Sequence, residues 1–338
     1  MQKIARGAWG GASEMDKPII TIIGLGLTGA GLGLALQRET GNFEVVGHDK
    51  SPDVAQAAKR EGVIQRVEWN LHRAVEPAEL VLVAVPLSEL DELYGQIAED
   101  LREGCLVLTL AGLLQPALAL AQKHLPSHAH VVAGHPILSG TGGEPTPRAD
   151  LFEEVVFALA AGAKTEAAGV QLASDFVDRV GATPLFVDAL EHDGIMAGVE
   201  QLPQIMAAAL MQASATSAGW REARRLAGRY FASGTSFGAN PAGLAYAMRA
   251  NRENLLLRIR QMQDALEEWA KRIAADPDEA EPDALPAALE EAVAARASWE
   301  ANVALKNWEE QPDRQPPVET TGFFRQMLLG NFGGKRRQ

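Results

Sequence analysis

Residues 19–36 read IITIIGLGLTGAGLGLAL. The run IITII is aliphatic or β-branched throughout, which is typical of a strand buried on both faces of a parallel sheet. The pattern G-x-G-x-x-G follows at once, and a helical stretch rich in alanine and leucine comes after it. A strand, a glycine-rich turn and a helix in this order predict a Rossmann-type turn that binds a dinucleotide.

The three glycines of this turn have separate roles. Gly24 permits the tight turn, Gly26 lets a pyrophosphate approach the backbone, and Gly29 lets the helix pack close to the strand. The first backbone N–H groups of a helix have no partners within it, so its N-terminus attracts phosphate. We therefore predict that the turn binds the cofactor through Gly24, Gly26, Leu27, Thr28 and Gly29.

A carboxylate follows the second predicted strand. Asp49 lies in VVGHDKSP, 20 residues after Gly29. At this position a carboxylate accepts hydrogen bonds from the adenosine ribose hydroxyls and repels a 2′-phosphate. Asp49 thus favours NAD as the cofactor, while Lys50 beside it leaves NADP as the alternative.

Short β-like runs alternate with helical stretches between residues 18 and 187. Several of the runs are apolar throughout, as in strands with both faces buried. The predicted strands span residues 19–24, 44–47, 80–85, 106–110, 130–133 and 155–159. Alternation of strands with helices predicts a doubly wound, parallel α/β domain.

Strand patterns stop after about residue 188. Long helical stretches follow at 201–228, 240–275 and 284–310, and the second opens with Asn240 as N-cap and Pro241 at the first helical position. The predicted fold is therefore an α/β Rossmann-type dinucleotide-binding domain followed by an all-α domain.

These patterns set the predicted domain limits. The glycine-rich, aperiodic residues 1–17 are read as a disordered tail, and the proline-rich end of the chain as a second tail. The predicted units are a tail at 1–17, an NAD-binding domain at 18–187, a helical substrate and dimerisation domain at 188–310, and a tail at 311–338.

The overall composition excludes several classes of function. With 338 residues, 47% of them hydrophobic, the chain is long enough for two domains. A net charge of -13 disfavours nucleic acid and anionic membranes as partners. The single cysteine, Cys105, excludes an internal disulfide and fits a reducing compartment. No apolar run is long enough to cross a membrane, and the first residues lack a secretion signal, so we expect a cytoplasmic protein.

A histidine stands at the end of the fifth predicted strand, in AGHPILSG (133–140). Taken alone, His135 in a His-Pro pair is most simply a loop residue that bonds its neighbours. A neutral imidazole, with an ordinary pKa near 6.5, is also suited to accept a hydroxyl proton at pH 7. Both interpretations stay open on this segment alone.

Seven segments together resemble the prephenate/arogenate dehydrogenase family, the NAD(P)-linked enzymes of tyrosine biosynthesis. In chain order they are GLGLTGAGLGLAL, HDKSP, LVLVAVP, AGHPILSG, RADLF, EHDGIMAG and QLPQIMAAAL. The resemblance covers residues 18–255. It implies a Rossmann-type domain, NAD as cofactor with Val85 and Pro86 at its site, and a helical domain that forms a homodimer. The apolar helices of the second half favour the same dimer.

The resemblance also gives His135 a role. In the family, the matching histidine accepts the proton of the substrate's ring hydroxyl while hydride leaves the same carbon, and loss of CO2 then makes the ring aromatic. The implied substrate is a cyclohexadienyl acid, prephenate or arogenate.

This sequence departs from the family where the substrate is expected to bind. Gly112 stands in LTLAGLLQ where the family has a serine, and Glu200 opens a segment whose two usual histidines are Gln201 and Gln204. The family's carboxylate-binding arginine is replaced by Thr235 or Ser236. Each of these positions is a weak candidate for substrate contact: Gly112, Gln201, Gln204, Thr235 and Ser236.

The departures leave alternatives to the leading function. Losing an arginine forfeits a bidentate, charge-assisted contact that a dianionic acid needs. A related oxidoreductase with a different substrate and a non-catalytic dinucleotide-binding protein are therefore the alternatives. His192 and Asp193 resemble a metal-ligand pair, but no third ligand lies at a suitable spacing, so we predict no metal and a structural role.

Overall fold

A computed structural model describes residues 17–39, 42–138, 146–238, 240–276 and 284–305. The tails predicted at 1–17 and 311–338 lie, except for Lys17, outside these described residues. Internal contacts divide the chain into two units, Met1–Gln263 and Asp264–Gln338. The domain boundary predicted between residues 187 and 188 stays a prediction.

One sheet of eight strands organises the described part of the first unit. Its strand order is β3-β2-β1-β4-β5-β6-β7-β8, with every neighbouring pair parallel except β6 and β7. The strands are β1 Ile19–Ile23, β2 Glu44–His48, β3 Arg66–Val67, β4 Leu80–Val83, β5 Leu106–Leu110, β6 His130–Pro136, β7 Val156–Ala161 and β8 Thr183–Phe186.

Helices cover both faces of the sheet, as the alternating pattern predicts. They are α1 Leu27–Leu36, α2 Pro52–Arg60, α3 Leu71–Val75, α4 Leu90–Ile97, α5 Leu114–His124 and α6 Ala167–Arg179. The helices α1, α2 and α6 contribute to the core on one face, and α3, α4 and α5 to the core on the other. The predicted Rossmann-type architecture is confirmed.

Apolar side chains point to both faces of the strands in turn. Leu82 and Leu108 belong to the core that holds α1, whereas Val81, Val83 and Val107 belong to the core that holds α4. All five are fully buried. Each such side chain stabilises the fold by about 1.5–3 kcal/mol, so the sheet forms a rigid base for its loops.

The helical region begins after β8. Its helices are α7 Ala189–Met196, α8 Leu202–Ala215, α9 Trp220–Leu226, α10 Arg229–Gly234, α11 Pro241–Ala250, α12 Arg252–Ala274 and α13 Ala284–Leu305. A π-helical turn, Ala197–Gln201, joins α7 to α8. No helix among the described residues is both long and apolar enough to cross a membrane.

Two predicted helices are interrupted in the structure. The stretch predicted at 201–228 is divided between α8 and α9, and the stretch at 240–275 is divided at Asn251. The predicted Asn240 cap is confirmed, because its side chain accepts a hydrogen bond from the Gly243 N–H. Asn251 is buried between α11 and α12, and its side chain donates a hydrogen bond to the Asp193 backbone carbonyl.

The strand β6 is longer than predicted and passes through the His-Pro pair. His135 lies opposite Ala158 and Pro136 opposite Phe157 of the antiparallel neighbour β7. On the other side, the pairing of β6 with β5 ends at Gly134. Proline is tolerated there because one side of the strand no longer needs a backbone donor. The extension holds His135 on regular backbone.

Candidate active site

The glycine-rich turn packs as tightly as its sequence predicts. Gly24 has φ of 88°, and a Cβ there would lie 2.5 Å from the Ala84 carbonyl oxygen. A Cβ on Gly29 would lie 1.9 Å from the Gly24 carbonyl oxygen. A Cβ on Gly26, by contrast, would meet nothing within 4 Å. The first and third glycines are therefore required by the protein's own packing, and the second leaves open space in front of the backbone.

A cleft of about 670 Å³ lies in front of this turn. Its lining includes Gly24, Gly26, Asp49, Val85 and Pro86. Leu27 and Thr28 begin α1 next to it, and no side chain caps that helix end. The structure therefore gathers the predicted cofactor-binding residues around one cleft and the adjoining helix N-terminus.

Backbone hydrogen bonds fix the Asp49 carboxylate. One oxygen accepts the Leu25 N–H and the other the Ser51 N–H, each at 2.8 Å. The neighbouring Lys50 ammonium pairs with Glu89 at 2.5 Å. A fixed carboxylate beside a neutralised lysine suits ribose hydroxyls better than a 2′-phosphate.

A second cleft, of about 520 Å³, contains His135. Its lining residues are Thr28, Leu110, Ala111, Gly112, His135, Pro136, Ile137, Leu138, Met196, Val199 and Glu200. Thr28 lines this cleft and Gly26 the first, so the two clefts adjoin at the N-terminus of α1. A group bound along the glycine turn would thus reach towards His135.

His135 and Glu200 are the ionisable side chains among the described residues of this lining. His135 Nε2 lies 3.8 Å from Glu200 Oε2. A Cβ on Gly112 would lie 3.7 Å from Glu200 Oε1 and 4.0 Å from His135 Nε2. The Glu200 carboxylate therefore stands close to the space that a serine at position 112 would fill.

The surroundings of His135 keep its ring neutral. Burial, and then the neighbouring His192, lower the pKa of His135 to about 4. Burial also raises the pKa of Glu200, and His192 partly offsets this rise. Because 46% of the Glu200 side chain is exposed, the effect of burial on its charge is moderate. At neutral pH the cleft thus presents a neutral imidazole that can accept a proton.

A buried hydrogen-bond chain lies behind His135. His135 Nδ1 is 3.1 Å from His192 Nε2, and His192 Nδ1 is 2.9 Å from Asp193 Oδ1. Asp193 also accepts the backbone N–H groups of Leu114 and Gln115, at 2.8 and 3.1 Å, and so caps α5. The sequence does not predict this hydrogen-bond chain, and its visible sign is the adjacent pair His192 and Asp193 in α7.

The weaker predicted substrate residues divide into two groups. Gly112, Gln201 and Gln204 line a small cavity of about 80 Å³ that also touches Glu200. Thr235 Oγ1 instead donates to the Phe231 carbonyl of its own helix. Among the described residues, Thr235 and Ser236 are not in the lining of either cavity around Glu200.

Cationic and metal-binding groups are missing from the described part of this site. No lysine or arginine is among the described lining residues of the two cavities around Glu200. No group of three or more potential metal ligands occurs among the residues that the structure describes.

Comparisons with known proteins agree with this architecture. Residues 32–185 match the family model of the prephenate dehydrogenase nucleotide-binding domain, and residues 188–290 match that of the prephenate dehydrogenase dimerization domain. Prephenate dehydrogenase of Bacillus subtilis is 29% identical over 58% of this chain and 53% of its own length. Prephenate dehydrogenase of Lactococcus lactis is 31% identical over 57% of this chain and 52% of its own length. The chain thus spans about half the length of these curated relatives.

Solved structures share the fold at low sequence identity. Prephenate dehydrogenase of A. aeolicus, in complex with hydroxyphenyl propionate and NAD+, has a TM-score of 0.70 at 19% identity, covering 85% of this chain and 99% of that one. Synechocystis arogenate dehydrogenase has a TM-score of 0.66 at 20% identity, covering 83% and 99%. Together, the two family models span most of the residues between α1 and α13, and this chain belongs to the prephenate dehydrogenase family.

Proposed function

We propose that this chain is an NAD-dependent dehydrogenase that oxidatively decarboxylates a cyclohexadienyl acid, prephenate or arogenate. The observation that carries the proposal is a neutral His135 in a cleft that adjoins the glycine turn. The names of the relatives support the same activity, since they include prephenate, cyclohexadienyl and arogenate dehydrogenases. The site residues named above are part of this proposal.

The proposed reaction balances without a further reactant. NAD, when bound, accepts the hydride from the ring carbon that bears the hydroxyl group. His135 accepts the proton of that hydroxyl as the carbon becomes a carbonyl. The bond between the ring and its carboxylate then breaks. CO2 leaves, and the electron pair of the broken bond completes the aromatic ring. His135 returns its proton to solvent or to the product.

NAD is the cofactor that the first cleft fits best. Gly26 leaves space for a pyrophosphate, the uncapped N-terminus of α1 favours its charge, and Asp49 presents fixed acceptors to ribose hydroxyls. The A. aeolicus structure with NAD+ supports the choice. Titration of the protein with NAD and NADP should give tighter binding of NAD, and tighter binding of NADP would overturn it.

The helical region carries exposed apolar side chains that favour a homodimer. Leu226 and Tyr230 are more than three-quarters exposed, and Leu190, Ile195 and Val199 more than half. Such side chains mark interfaces when they lie together, and the matching family model is named for dimerization. We place the dimer in the cytoplasm, as expected for a chain with one buried cysteine.

Turnover of the two candidate acids tests the proposal directly. The purified protein is given NAD with prephenate or with arogenate, and NADH and CO2 are measured. Formation of both products in equal amounts is the expected result. Binding of NAD without turnover of either acid would contradict the proposed activity.

Of the two proposed substrates, Glu200 favours arogenate over prephenate. A carboxylate beside His135, with no basic side chain among the described cleft residues, repels a dianion such as prephenate. An ammonium-bearing substrate such as arogenate carries less net negative charge. A kcat/KM higher for arogenate than for prephenate would agree with this electrostatic argument.

A further inference from the structure

The hydrogen bonds behind His135 determine which nitrogen carries the hydrogen in each of two histidine rings. The assignment begins at Asp193, which is 3% exposed. Both of its carboxylate oxygens accept backbone N–H groups from the first turn of α5. An ionised carboxylate is only an acceptor, so the nitrogen of His192 that faces it must be the donor.

The proton on His192 then determines the state of His135. In a neutral imidazole only one nitrogen carries hydrogen. With His192 Nδ1 donating to Asp193, His192 Nε2 holds a lone pair and accepts from His135 Nδ1. His135 Nε2 is left without a proton, and this is the atom that faces Glu200 across the cleft.

We propose that His192 and Asp193 are positioning residues that hold His135 in the Nδ1–H tautomer, with its Nε2 lone pair directed into the cleft. In the reaction, which rests on the proposed function, Nε2 takes the substrate proton and His135 becomes cationic. The Asp193 carboxylate, one ring further in, stabilises that charge through His192. Without this chain, either nitrogen of His135 could carry the hydrogen.

Neighbouring side chains hold the backbone around this hydrogen-bond chain and make no described hydrogen bond to its two rings. Asn251 Nδ2 donates to the Asp193 backbone carbonyl and to Gln201 Oε1, at 2.8 and 2.9 Å. The Arg258 guanidinium donates to the Gly194 carbonyl and makes no described hydrogen bond to either ring. Glu200 is the charged group on the cleft side of His135, and Asp193 is the one on the far side.

The two rings are also packed so that rotation would break the chain. Their planes meet edge to face, at 81°, with centroids 5.3 Å apart. His192 and Asp193 are both nearly inaccessible to solvent. No buried side-chain nitrogen or oxygen among the described residues lacks a hydrogen-bond partner. A flipped His192 ring would leave such groups unpaired, at a cost of about 1–3 kcal/mol each.

Nitrogen NMR of the histidine rings tests the proposal without any assay of activity. The chain has seven histidines, and His135→Asn and His192→Gln variants assign the two signals of interest. In the wild-type protein near pH 7, we expect both rings to carry hydrogen on Nδ1 and none on Nε2. Hydrogen on His135 Nε2 in the wild-type protein would overturn the proposal.

The Asp193→Asn variant tests whether Asp193 sets the two tautomers. An amide NH2 facing His192 Nδ1 should reverse the tautomer of His192 and, through it, that of His135. We expect kcat to fall by about 10²–10⁴-fold, the usual contribution of a positioned general base, with NAD affinity little changed. Unchanged tautomers together with unchanged kcat would overturn the proposal.

Asp188→Asn is the matched control on the same helix. Asp188 caps α7 by accepting the Leu190 and Glu191 N–H groups, and its side chain makes no described hydrogen bond to either ring. This variant should lose cap stability but keep the wild-type tautomers and kcat. If the wild-type tautomers are as expected and neither cyclohexadienyl acid is turned over, the positioning role is supported and the proposed function fails. The wild-type spectrum decides the tautomer even if the Asp193 variant does not fold.

Discussion

The two adjoining clefts are built in different ways. The cleft in front of the glycine turn, here called the nucleotide cleft, is shaped by the backbone. Gly24 and Gly29 pack against carbonyl oxygens, and two backbone N–H groups hold the Asp49 carboxylate. The His135 cleft depends on side chains from β6, α7 and the π-helical turn that meet only in the folded chain. A backbone site tolerates few changes at its glycines, whereas a side-chain site can change its chemistry by single substitutions.

Replacing His135 should produce the largest effect, a loss of turnover, and should affect only the His135 cleft. In His135→Asn, the polar amide can still bond to His192, but it cannot act as a base. We expect kcat to fall by about 10²–10⁴-fold, measured as NADH formation with the acid that the wild-type protein turns over.

NAD affinity is the control for this variant. Calorimetric titration should give a wild-type Kd, because His135 is not in the described lining of the nucleotide cleft. Near-normal turnover would show that His135 is not the catalytic base. A lost NAD affinity would show that the two clefts are not separate in function.

Two glycine variants should separate packing from cofactor binding in the nucleotide cleft. Gly26→Ala places a methyl group in open space, so we expect a wild-type Tm and an NAD affinity weaker by about tenfold, as a pyrophosphate is held off the backbone. Gly29→Ala should lower Tm itself, because its Cβ overlaps the Gly24 carbonyl. Equal Tm losses in both variants would contradict this distinction.

Glu200→Gln should change substrate preference by a smaller factor. Removing a half-exposed negative charge beside His135 should lower KM for the more negatively charged prephenate a few-fold more than KM for arogenate, with kcat little changed. The ratio of the two KM values is the measurement. An equal change for both acids would show that Glu200 does not face the substrate's charge.

Moderate acid should have the smallest effect. Because burial lowers the pKa of His135 to about 4, the ring remains neutral between pH 7 and 5, and kcat/KM should change by less than about twofold in that range. Below pH 4 the protonated ring cannot accept a proton, so kcat/KM should fall about tenfold per pH unit. A loss centred near pH 6.5 would mean that water reaches the ring in the free enzyme.

The predictable parts of the fold are those with local signals. The six predicted strands are present, since their residues are mostly aliphatic or β-branched and several runs are apolar throughout, and the glycine turn has a fixed spacing. The strand β3 has two residues, and β8 contains Pro184 and is largely exposed, so neither carries a strong strand pattern. Asn251, where the predicted helix is divided, bonds to Asp193, which is distant in sequence, and no local pattern indicates this contact.

The candidate site was predictable only in part for the same reason. His135 could be selected from its segment and its resemblance to the family, but His192 lies 57 positions away. Its contact with His135 depends on how α7 packs beside β6. Local sequence patterns therefore indicate the base, but they do not indicate the groups that orient it or where Glu200 lies relative to it.

The π-helical turn Ala197–Gln201 sets the rotation between the groups on either side of it. Relative to an α-helix, a π-helical turn accommodates an additional residue, and each residue of an α-helix advances the side-chain direction by about 100°. Removing one residue from the turn would rotate Asp193 and Gln204 relative to each other about the helix axis. Insertion or deletion of a single residue at this turn would therefore redirect the side chains that follow it, including Gln204, while the sheet stays unchanged.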